Sequence, residues 1–145
     1  MRFFRFSPII FVSLFIYGCA TTPTPIGEVT PAPKERVYAF QDSVKGKSGV
    51  IFVTRDQGTT GSACFYALWI DSVLSARLDT SERAKFILPV GEHVLKAGRD
   101  PSGKGLCGFE LENSSQRETI IRENETKYFR FLIRLDGVPD VQRAD

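Results

Sequence analysis

The chain has 145 residues, with 19 lysines and arginines against 17 aspartates and glutamates, one histidine and three cysteines. Once the terminal segments are set aside, that length holds one ordinary domain and leaves no room for a second. The near-balanced charge, without a dense Lys/Arg run or a basic aromatic stripe, excludes a nucleic-acid-binding polycation.

Residues 1–19 read MRFFRFSPIIFVSLFIYGC, with Arg2 and Arg5 ahead of an apolar run from Pro8 to Tyr17. A charged start and about ten apolar residues make a secretion signal, because a membrane-spanning helix needs about twenty. Gly18 just before Cys19, with Ile16 two places earlier, resembles the lipobox of bacterial lipoproteins. Tyr17 departs from that pattern, standing where a smaller residue is usual. The resemblance implies a lipoprotein signal peptide over 1–18. It also implies lipidation of Cys19 with chains such as palmitate, so that the membrane is a partner through this anchor. Three acyl chains at about 0.8 kcal/mol per buried methylene far exceed the single chain that binds only marginally. Without Arg2 and Arg5 the remaining chain carries 17 basic against 17 acidic residues.

Residues 19–34 hold four of the eight prolines and little that builds a core. They predict a lipidated Pro/Thr-rich tether, which at about 3.1 Å per residue extends roughly 45 Å and lifts the domain clear of the bilayer. Ala20 and Thr21 follow Cys19 where an aspartate would retain such a lipoprotein on the inner membrane. By that resemblance the location is the bacterial outer membrane, facing the periplasm.

From 35 to 145 the pattern alternates with a period of two, and helical signals are nearly absent. Strands are predicted at 35–40, 49–55, 64–71, 73–78, 84–89, 92–98, 117–122, 126–134 and 139–143. Along 126–134, Lys127, Phe129, Phe131 and Ile133 share one face, with Tyr128, Arg130, Leu132 and Arg134 on the other. Turn signals at Asp71-Ser72, Pro89-Val90-Gly91 and Asp136-Gly137 separate the runs. The fold class expected is all-β, a small antiparallel β-sandwich or barrel-like sandwich. In CFYALWID both faces are apolar, which predicts a central strand with Phe65, Ala67 and Trp69 packed in a core.

The run YALWIDSVLSARLDTSERAKFILPVGEHVLKAG, with the later ETKYFRF, resembles the strand and turn pattern of small envelope β-sandwich lipoproteins of uncharacterised function, and is similar to PEGA-type surface modules. The resemblance covers about 36–134 and implies the sandwich fold, with a hairpin at Asp71-Ser72 and Gly91 turning the chain into the strand that carries His93. Glycine is commoner where Ser72 stands.

The stretch GRDPSGKG, from Gly98 to Gly105, comes close to the phosphate loop G-x-x-x-x-G-K-[ST]. It lacks the hydroxyl that would hold magnesium, because Gly105 stands there. Pro101 interrupts it, and no helical stripe follows to aim an amino end at the anion. A surface turn is expected and no nucleotide. A second reading keeps Arg99 and Lys104 as a candidate anion or partner contact on a glycine-rich turn.

Catalytic sets are hard to assemble. His93 is the only histidine, no G-x-S-x-G elbow accompanies it, and the cysteines form no C-x-x-C pair for a zinc tetrahedron. Neither a metal nor another cofactor is expected. Asp56, Asp79, Glu82, Glu92 and Glu110 remain open as paired carboxylates, with solvated turn charges as the expectation. With Cys19 lipidated, Cys64 and Cys107 form an even pair in an oxidising compartment, which predicts a disulfide.

These readings lead to a non-enzymatic envelope lipoprotein that binds another envelope protein or a cell-wall polymer such as peptidoglycan. The alternative is a periplasmic inhibitor of a host or competitor enzyme such as lysozyme, using the GRDPSGKGLCG loop.

Overall fold

The computed structural model describes residues 20–109 and 112–144. The predicted signal, Cys19 and Glu110 lie outside the described residues. Nine strands run in chain order as β1 (Thr30–Pro31), β2 (Ser48–Arg55), β3 (Tyr66–Ile70), β4 (Val73–Leu78), β5 (Glu82–Pro89), β6 (Gly91–Arg99), β7 (Ser114–Ile121), β8 (Thr126–Ile133) and β9 (Pro139–Arg143), with short 3-10 turns between some of them. They form two facing sheets, one of order β1-β5-β2-β8-β9 and one of order β4-β3-β6-β7. The all-β sandwich expected from the alternation is therefore present. The larger sheet is mixed, however, because β1 runs parallel to β5 and β2 parallel to β8.

Alternation decides what lies between the sheets. Ile51 and Val53 from β2, Tyr66, Leu68 and Ile70 from β3, Phe86 and Leu88 from β5, and Phe129, Phe131 and Ile133 from β8 are all buried in one cluster. Each such aliphatic or aromatic side chain contributes about 1.5–3 kcal/mol when withdrawn from water. Lys127 obeys the same parity and is buried, its ammonium satisfied by the carbonyl of Ile120.

The sandwich is closed along both open sides, which gives it a barrel-like section. On one side β7 meets β9 through Ser115 Oγ to Asp140 Oδ1 at 2.8 Å and Arg117 Nε to the Val141 carbonyl. On the other, the segment after Arg36 crosses from sheet to sheet. Tyr38 N donates to the Ser75 carbonyl of β4 at 2.9 Å, and Ile87 N of β5 donates to the Phe40 carbonyl at 2.8 Å.

Two sequence expectations need correction here. The strand predicted at 35–40 is a 3-10 turn over Lys34–Arg36 followed by this crossing, with Val37 making a lone bridge to Ala76. Phe40 sits at φ 59°, a left-handed geometry that no continuing strand adopts. The proline-rich segment expected to extend freely instead lies on the domain. Thr21 N donates to Ile133 O at 3.2 Å, Ile133 N returns a bond to Thr21 Oγ1 at 2.9 Å, and Thr22 and Gln57 exchange backbone bonds of 2.8 and 3.0 Å. Thr24 Oγ1 reaches the Arg55 carbonyl at 3.0 Å, and β1 then covers the edge of β5. Prolines suit this path, since an edge strand tolerates a residue without an N–H.

Candidate functional site

One end of the sandwich gathers most of the polar chemistry. There β2 ends, β3 begins, β4 turns into β5, and the connections between β6 and β7 and between β8 and β9 emerge. Arg55 closes the apolar run of β2, and its parity with Ile51 and Val53 turns it inward. It is only 2 % exposed. Its Nη1 donates to the carbonyls of Cys64 at 2.7 Å and Leu78 at 2.8 Å, and its Nη2 to Gly61 at 2.7 Å. One guanidinium thus ties three chain segments together. Burial pushes it down to about 10 against the pull of Asp79, Tyr66 and Glu82.

Tyr66 lies between two cations, with the Arg55 guanidinium 4.7 Å and that of Arg99 5.2 Å from its ring. Arg99 Nε is buried there without a hydrogen-bond partner among the described residues. Lys104 is exposed on the following loop. One candidate contact residue is therefore stacked on a core ring and the other stands in solvent.

The loop itself is folded inward on its own donors. Ser102 N donates to Asp100 Oδ1 at 2.9 Å, Gly103 N to the Asp100 carbonyl at 2.9 Å and Cys107 N to the Lys104 carbonyl at 3.1 Å. A side chain at Gly103 would strike the Cys107 carbonyl. These N–H groups are spent within the loop, so they do not form the open cradle that a phosphate loop presents. The disulfide Cys64–Cys107, with a Cα separation of 5.4 Å, fastens the loop to the start of β3 as expected.

Asp100 is buried and receives Arg77 Nε at 2.9 Å. Arg77 in turn lies 5.2 Å from the ring of Phe65, and Arg36 covers the same ring at 4.5 Å while bonding Glu82 through Nη1 at 2.7 Å. The hydrogen bonds to Glu82 and Asp100 hold Arg36 and Arg77 above the ordinary guanidinium value. Lys96 similarly stands 5.3 Å over Trp69. Phe65 and Trp69 are thus not core residues, as the two-sided apolar pattern of β3 implies; cationic side chains roof them on the outer face. Ala67 is fully buried beneath this layer.

Among the described residues, three of the carboxylates that sequence left open have partners of another kind. Asp56 is buried and bonded to Arg130 Nε at 3.1 Å, Glu82 is buried on Arg36, and Asp79 accepts the N–H of Thr80 at 2.7 Å. Asp56 and Glu82 are thus buried ion-pair partners where solvated turn charges were expected.

His93 occupies the opposite end. Its Nδ1 lies 2.6 Å from Asp71 Oδ2 and its Nε2 2.8 Å from the Pro89 carbonyl. Both ring nitrogens are therefore engaged, and neither is offered to a substrate. Asp71 also receives Val94 N at 2.9 Å, so the pair fastens the β3–β4 turn to β6. That turn holds Asp71 at φ 50° and Ser72 at φ 66°, the left-handed strain that the missing glycine implied. Among the described residues no group of three or more His, Cys, Asp or Glu side chains could hold a metal ion.

Sequence reasoning overlooked Arg55, Arg77, Asp100 and Arg130. The signal for Arg55 was its inward parity, which placed a charge where only a fully bonded one is tolerated. Comparison of the chain with protein-family models, with curated proteins and with solved structures finds no match.

Proposed function

We propose that the protein is a non-enzymatic lipoprotein of the bacterial cell envelope, anchored through Cys19 in the outer membrane and facing the periplasm, where it contacts another envelope protein or the cell-wall polymer. The observation that carries this reading is the signal ending in Gly18-Cys19, joined to a Cys64–Cys107 bridge of the kind that persists in oxidising compartments. Non-catalytic duty is supported by the condition of the polar groups. The histidine has both nitrogens bonded, and Asp56 and Glu82 are neutralised by arginine.

Cys19→Ala is expected to leave an unacylated precursor or a soluble form, while the wild type partitions with membrane into detergent. Soluble wild-type protein would reject the anchor. The clamped loop from Asp100 to Cys107 also favours a second reading, the inhibitor of an enzyme such as lysozyme, because a pre-ordered loop enters a cleft with little ordering cost. Lysozyme retaining full activity with micromolar protein discards it.

A further inference from the structure

Among the large apolar side chains exposed in the described residues, four stand well above the rest: Ile26 at 87 %, Leu106 at 83 %, Leu135 at 72 % and Phe109 at 64 %. The others, Tyr38, Val73, Val90, Ile120 and Tyr128, lie between 46 and 51 %. All four sit at the same end of the sandwich. Leu106 and Phe109 belong to the β6–β7 connection that the disulfide pins to the start of β3. Leu135 follows the end of β8. Ile26 lies between Thr24, bonded to the Arg55 carbonyl, and Thr30, bonded to the Ser81 carbonyl. Val73, which opens β4, and Val90, in the β5–β6 turn, lie by contrast at the far end.

The chain enters the fold at this end too. Thr21 and Thr22 are already bonded to Ile133 and Gln57, so only two steps of chain separate Cys19 from the folded body. Two extended residues span at most about 7 Å. A free tether would have let any face meet the lipid; this short link allows one.

We infer that the end of the sandwich bearing Ile26, Leu106, Phe109 and Leu135 is a membrane-facing surface whose apolar side chains enter the headgroup–acyl boundary. The inference rests on the reading that Cys19 is acylated. A lipid surface is favoured over a protein partner by the position of the anchor, which brings this end to the bilayer before any other molecule reaches it. Among the described residues of these connections the exposed charges are Lys104 against Glu28 and Glu112, with Arg134 paired to Asp136 at 2.6 Å, so they offer no cationic excess to anionic headgroups. Attraction is apolar, and it persists in salt.

The test uses the full acylated chain in vesicles of phosphatidylethanolamine and phosphatidylglycerol whose acyl chains carry a nitroxide quencher. In a Trp69→Phe background, single tryptophans are placed by Leu106→Trp, by Phe109→Trp, or by Val90→Trp as the far-end control. Leu106 and Phe109 are exposed, so neither replacement enters the core. The expected result is co-flotation with vesicles and quenching about threefold stronger at positions 106 and 109 than at 90, unchanged in molar salt. Co-flotation with equally weak quenching at all three positions overturns the membrane-facing end and leaves the anchor standing. Failure to float overturns both. Weak lipid quenching at 106 and 109 combined with shielding from an aqueous quencher in native membranes alone assigns the surface to a protein and overturns the lipid proposal.

Discussion

At the scale of single residues the most consequential side chain is Arg55. It withdraws a charge from water at a cost its hydrogen bonds must offset, and it satisfies three carbonyls, those of Gly61 and Cys64 in the loop before β3 and that of Leu78 in β4. Arg55→Met keeps much of the volume but leaves those carbonyls without their donor, and about 3 kcal/mol of stability should be lost. Denaturant titration of both forms measures this, and an unchanged midpoint would show the carbonyls to be served by water. The unfolded chain binds the Arg55 proton more tightly than the folded one, so charge burial costs stability at neutral pH and is relieved only above about pH 10. Asp140 behaves in the opposite sense. Burial alone would raise it, but hydrogen bonds from Gln142 Nε2, Ser115 Oγ and the Val141 backbone, with the charge of Arg117, hold it below the usual carboxylate range. Its contribution is therefore present above about pH 4 and lost as pH falls through the lower folded value. Asp140→Asn is expected to flatten the acid limb of the stability curve below about pH 4 while leaving the neutral region less affected; an unaltered acid slope would refute the linkage.

Strand positions were the most legible elements, because sandwich strands with one buried face print that face into the sequence at every second residue. β4 and β9 agree with the predicted ranges, and β2, β5, β6 and β8 differ only at their ends. The expectation failed where chain path is set by long-range bonding. ATTPTPIGEVTPAPK has the composition of a free spacer, and nothing local in it reports that Ser81 and Arg83 offer carbonyls to Thr30 and Ala32. Likewise the alternation in ERVYAF is real, but its residues serve two sheets in turn. At the candidate site the disulfide was legible from counting cysteines. The Arg77–Asp100 and Arg130–Asp56 pairs were not, since their partners are 23 and 74 positions apart. One test belongs to this scale. A soluble chain starting at Glu35 instead of Ala20 uncovers the edge of β5, and an uncovered edge recruits other strands. Such a protein is expected to have a lower denaturation midpoint and to scatter light at concentrations where the longer chain stays clear. Equal stability and solubility would mean that the segment merely rests on the sheet.

For the molecule as a whole, the disulfide closes a stretch of 43 positions that contains β3 to β6. The chain-entropy estimate for such a loop is about 4 kcal/mol, within a typical domain stability of about 5 to 15 kcal/mol. Replacing Cys64 and Cys107 by serine should lower thermal and denaturant midpoints together and make the segment from Asp100 to Cys107 an early protease target. A variant as resistant as the wild type would show the loop to be held by the Arg77–Asp100 contact alone. The parallel pairing of β2 with β8 has a different kind of consequence. A polypeptide is made from its amino end, and Asp56, just past β2, waits for Arg130, 74 positions later. At about 5 to 20 residues per second that wait lasts on the order of 4 to 15 seconds. During it, the strand destined for the middle of the larger sheet has β5 on one flank and nothing on the other. A nascent chain of this design therefore carries a half-built sheet for that interval, its open edge exposed to the wrong neighbour.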